Sequence, residues 1–185
     1  MIKRTLIFTL AFMSLWSCKT TKEAEVTTDC WKNEVTQTLA LYGHRNWIVV
    51  ADAAYPQQSN PAIKTMTINA TQLEAVEFIR DKIKEAKHVD ATIFLDKEMK
   101  FVMASAAPGI DEYRNKLKDL ISTENVQSKL HEEIICELDT SAELFHVLII
   151  KTDLTIPYSS VFFQLECGYW NAASEKKLRI DLNKN

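Results

Sequence analysis

The chain has 185 residues, 46% of them hydrophobic and 25% charged, enough for one globular domain with a sizeable core. Its formal net charge is −3, and two of its cations, Lys3 and Arg4, stand in an N-terminal stretch expected to be removed. An acidic domain with no basic patch excludes nucleic acid and an anionic lipid surface as electrostatic partners.

The opening "MIKRTLIFTLAFMSLWSC" joins a basic start to an apolar stretch too short to span a bilayer, the pattern of an export signal over residues 1–17. Leu15-Trp16-Ser17-Cys18 resembles a bacterial lipobox, which implies lipid on Cys18 and anchoring to the cell envelope through that lipid alone. Residues 18–29 are polar and read as a tether, so the folded domain is expected over 30–185. "DCWKNEVTQTLALYG" fits a helix, with Trp31, Val35, Leu39 and Tyr42 on one face and Gly43 at its stop. "WIVVAD" is a continuous apolar run, as in a strand covered on both faces, and "AAYPQQSNPA" is a loop. "KTMTI" follows as a short strand.

Thr71 and Glu74 form a capping box for a helix whose apolar face is Leu73, Val76, Phe78, Ile79 and Ile83. "VDATIFLD" is a strand, and "GIDEYRNKLKDLI" an amphipathic helix. "EIICEL" reads as a strand, and Thr140 or Ser141 as the cap of a short helix. "LIIKTD" and "VFFQLECG" complete the strands. Alternating elements of this kind predict an α/β fold, one central sheet with helices on both faces. Cys30, Cys136 and Cys167 allow at most one disulfide, and the last two are expected as small buried residues in strands. His44, His88, His131 and His146 are scattered without ligand spacing, so no metal site is implied.

His44 and Asp52 bracket the "WIVVA" strand. Ligands of α/β sheets bind at the carboxyl ends of strands, where Asp52 sits. His44 precedes the strand, so a site using both needs the loop after Gly43 to fold over, or two subunits to meet. "GHRNWIVVADAAYP" resembles the N-terminal signature of the D-ribose pyranase and L-fucose mutarotase family: Gly-His, an apolar strand, then Asp-Ala-Gly-x-Pro. "IIKTDLTIPYSSVFFQLECG" is similar to its second signature, with Lys151, Pro157 and Tyr158 in register, and "VDATIFLDKEM" to its central strand and acidic turn.

The resemblance, over roughly Glu34 to Gly168, implies a cofactor-free interconversion of sugar anomers or ring forms. It places acid/base catalysis on His44, since imidazole changes charge near neutral pH. It gives Asp52 and Tyr158 to the sugar hydroxyls and ring face, and puts Ser160 where the family has an asparagine. Ala54 stands at the glycine, and Ala142, aligned through "TSAELF", at a second histidine that opens a helix. It also implies a homo-oligomer with pockets between subunits and a monosaccharide as ligand. Two alternatives stand beside it: a catalytically silent envelope protein that binds a sugar or other small polar ligand, and a lipoprotein serving assembly only.

Overall fold

The computed structural model describes residues 30–184; the expected signal, Cys18 and the tether lie outside the described residues. The elements run α1 (Cys30–Leu41), β1 (Trp47–Ala51), β2 (Ile63–Thr67), α2 (Gln72–Glu85), β3 (Val89–Asp96), a 3-10 helix (Lys97–Phe101) and α3 (Ile110–Leu120). They continue with β4 (Asn125–Lys129), α4 (His131–Ala142), β5 (Val147–Lys151), β6 (Val161–Cys167) and α5 (Ala172–Leu182). One sheet has the order β2-β5-β1-β6-β3-β4. β6 is antiparallel to β1 and β3, while the pairs β2–β5, β5–β1 and β3–β4 are parallel. Five strands therefore end at one edge, where β6 begins.

The apolar run of β1 has the expected cause. Ile48 and Val50 enter the core formed with α1, α2 and α3, while Trp47, Val49 and Ala51 enter the core formed with α4. Every residue of the strand is buried because the sheet is covered on both faces. The Thr71–Glu74 capping box forms as read, with the Thr71 amide donating to Glu74 at 2.8 Å. Gly168 is needed where β6 meets β3: a Cβ there would lie 2.7 Å from the Val89 carbonyl oxygen.

Four expectations are corrected. "EIICEL" is the body of α4, not a strand, because Ile134, Leu138 and Ala142 recur at helical spacing and bury one face against the sheet. The helical period outweighs the β-branched pair Ile134–Ile135. Cys136 consequently sits exposed on a helix, and Cys167 is half-buried in β6. Thr140 and Ser141 lie in the last turn of α4, where the Ser141 hydroxyl accepts from the Trp47 indole at 3.0 Å, instead of capping a further helix. β4 and α5, which the sequence pattern did not announce, are a polar edge strand and a helix with no buried residue.

Candidate functional site

At the carboxyl edge of the sheet lies a cleft of about 380 Å³. Its polar lining is Asp52, Tyr55, Gln58, His131 and Tyr158, backed by the apolar Ala54, Pro56, Ile135 and Pro157. Asp52, on the turn after β1, accepts a hydrogen bond from the Ala54 amide at 2.8 Å through Oδ1, leaving its other oxygen for a ligand. This turn keeps Ala54 out of the left-handed region, so the family's glycine is not required here.

Tyr158 does adopt a left-handed backbone, φ 56°, uncommon for an aromatic residue, and is 41% exposed. Its ring stands edge-on to His131, centroids 5.7 Å apart. A buried polar network holds this turn. The Ser159 carbonyl accepts from the Tyr113 hydroxyl at 2.7 Å and from the Gln72 amide, and Thr152 donates to Gln72 at 3.1 Å. Burial is the largest cause of the raised pKa of the Tyr113 phenol, which keeps it a donor at neutral pH. Thr152 also donates to the Ala51 carbonyl at 3.2 Å, so the ends of β1 and β5, α2, α3 and the Tyr158 turn are locked together.

His131 opens α4. Both carboxylate oxygens of Glu98, on the 3-10 helix after β3, accept from the His131 backbone amide at 3.1 Å. Its Nδ1 lies 3.1 Å from Asp96 Oδ1, the last residue of β3. Asp96 is 1% exposed, and its Oδ2 has no partner among the described residues. Burial raises the Asp96 carboxyl to about 6 against the lowering effect of His131. Burial likewise pushes the neighbouring Tyr55 phenol up to about 12.

The structure therefore brings Asp52 and Tyr158 together and adds His131, a helix-opening histidine that the sequence alignment misplaced. Ala142, the aligned position, is buried at the far end of α4, about 16 Å along the helix axis at 1.5 Å per residue. The helical spacing Ile134, Leu138, Ala142 and the Glu133 that accepts from the Leu130 amide at 3.2 Å were the signals that could have found it. Ser160 is buried at the start of β6 and is not on the cleft wall. His44 is exposed at the opposite edge of the sheet, with the five-residue β1, about 16 Å long, between it and Asp52. A larger groove, about 620 Å³, runs past Glu132, Glu137 and Gln164, but it gathers carboxylates and no histidine.

The model of the RbsD / FucU transport protein family matches residues 27–168. The structure is similar to that of Bacillus subtilis RbsD complexed with D-ribose, at 18% identity and a TM-score of 0.52, covering 72% of this chain and 91% of that one. It is also similar to FucU from Bifidobacterium longum, at 15% identity and a TM-score of 0.50, covering 72% and 94%. At these identities the likeness is one of fold. No curated protein matches the chain in sequence.

Proposed function

This chain belongs to the RbsD / FucU transport protein family, and we propose that it interconverts anomers or ring forms of a monosaccharide by acid/base catalysis without a cofactor. The observation that carries this reading is the convergence of Asp52, His131 and Tyr158, from three separate segments, on one cleft at the carboxyl edge of the sheet. The RbsD neighbour, solved with D-ribose, supports a monosaccharide as the ligand.

Opening a cyclic hemiacetal removes a proton from the anomeric hydroxyl and delivers one to the ring oxygen; closing on the other face reverses both transfers. His131 is the group in the cleft suited to exchange a proton at neutral pH. Asp52 accepts hydrogen bonds from sugar hydroxyls through its free oxygen, and Tyr158 offers a hydroxyl and a flat face to the ring. His44 joins this chemistry only from a second copy of the chain, as the other proton-transfer group, in a homo-oligomer whose cleft two subunits complete. The N-terminal pattern adds an envelope location through lipid on Cys18.

Saturation-transfer NMR on ribose, fucose and galactose with the purified protein tests the reading. Exchange above buffer for at least one sugar supports it; binding without exchange leaves a silent sugar-binding protein. Mixing His44→Ala with His131→Gln chains, each inactive alone, restores part of the exchange if subunits share the cleft. No recovery after subunit exchange has been verified contradicts the shared site. Cys18→Ala is expected to release the protein from membranes, and unchanged membrane association and processing would exclude the lipid anchor.

A further inference from the structure

We infer that Asp96 is a positioning residue for His131, its carboxylate fixing the imidazole tautomer so that an unprotonated Nε2 is the atom offered to the cleft. This rests on the reading of His131 as the acid/base group. Since an ionised carboxylate only accepts, the 3.1 Å contact between Asp96 Oδ1 and His131 Nδ1 requires the proton on Nδ1. Nε2 has no hydrogen bond among the described residues, and the ring lines the cleft. The backbone of the same residue is held independently by Glu98, so Asp96 is not needed to start α4. Two carboxylates thus divide one residue between them, Glu98 taking the main chain and Asp96 the ring.

A purely structural Asp96 makes poor sense. It is 1% exposed with Oδ2 unpartnered, and a buried, half-satisfied carboxylate destabilises a fold. Its surroundings do little to offset that. Lys129, its register partner on β4, is committed to Glu137 at 2.5 Å and to the face of Phe94. Glu98 on the 3-10 helix and Asp52 on the β1–β2 loop both disfavour its charge. Tyr55 on that same loop and Tyr113 on α3 are neutral phenols at physiological pH. His131 on α4 is the one group here that favours the ionised form, through its charge when the ring is protonated and through the Nδ1 hydrogen bond in either state. Residues kept against stability at a cleft are the expected signature of function.

The test reads the imidazole ¹⁵N shifts of His131 in the full chain from pH 5 to 9, assigned by their loss in His131→Gln. Wild type is expected to show the Nδ1–H tautomer when neutral, and Asp96→Ala to move it toward Nε2–H. Asp96→Asn is expected to lower kcat about tenfold or more with KM changed by less than about threefold, because orientation and not sugar contact is lost. It is also expected to raise Tm at pH 8. The carboxyl titrates near 3.8 when unfolded and about 6 when folded, so wild-type stability falls as pH rises between these values. The advantage of Asp96→Asn therefore shrinks as the pH is lowered from 6 to 4. An Nε2–H tautomer in wild type, or a tautomer unchanged in both variants, overturns the inference. If wild type exchanges no sugar, the proposed function falls while the tautomer measurement still decides the role of Asp96.

Discussion

The two edges of the sheet hold similar residue types in opposite circumstances. At the edge before β1 and β5, three histidines gather, and what they meet is backbone or another ring. His88 Nε2 donates to the Leu39 and Tyr42 carbonyls at 3.2 Å each, while His146 stacks on Tyr42 and lies 3.4 Å from the Ala62 carbonyl through Nδ1. His44 stands exposed beside them. At the carboxyl edge there is one histidine, and it meets a buried carboxylate, an aromatic in strained backbone and a cleft with a free aspartate oxygen. Histidine number does not make a site. What differs is that the second edge carries buried polar atoms without partners among the described residues, Asp96 Oδ2 and the Tyr55 hydroxyl, whereas left-handed backbone occurs at both, at Arg45 and at Tyr158.

That contrast can be broken by substitution. The largest effect is expected from His131→Gln, which should lower anomeric exchange about a hundred- to ten-thousandfold, while His88→Gln and His146→Gln stay within about twofold of wild type. A comparable loss in the latter two would erase the difference between the edges. Asp52→Asn should weaken sugar binding about tenfold, measured by titration, with a smaller effect on the rate of bound sugar. Tyr158→Gly should weaken binding yet stabilise the protein by about 1 kcal/mol in denaturant unfolding, since a left-handed aromatic residue is strained. Tyr113→Phe should cost about 1 kcal/mol of stability and change activity little, because Gln72 still donates to the Ser159 carbonyl.

Much of the frame was legible in the chain. The WIVVA run announced a strand buried on both faces, and the Thr71–Glu74 pair announced a helix start, because both signals are local. The places of Asp52 and Tyr158 in the fold were legible in short motifs, Asp52 directly after β1 and Tyr158 on the Pro157 turn before β6. His131 was not, since two β-branched residues in "HEEII" imitate a strand and the alignment ran to the wrong end of the same helix. Asp96 was read only as the end of a strand; its meaning depends on β4 bringing α4 alongside, and β4 is an edge strand with exposed residues and little apolar pattern. The network under Tyr158 joins Gln72 to partners 41 and 87 positions away, a distance no local pattern encodes.

If Asp52, His131 and Tyr158 form the site, the sugar meets the chain at the carboxyl edge of the sheet. Titrating ribose or fucose into ¹⁵N-labelled full-length protein and following the backbone amides tests it without any substitution. The expected footprint covers residues 52–58, 131–135 and 158–160, with a secondary response at 43–46 if a neighbouring copy supplies His44. Shifts confined to the opposite edge, around residues 43–46, 88 and 146, with the cleft amides unmoved, would contradict it.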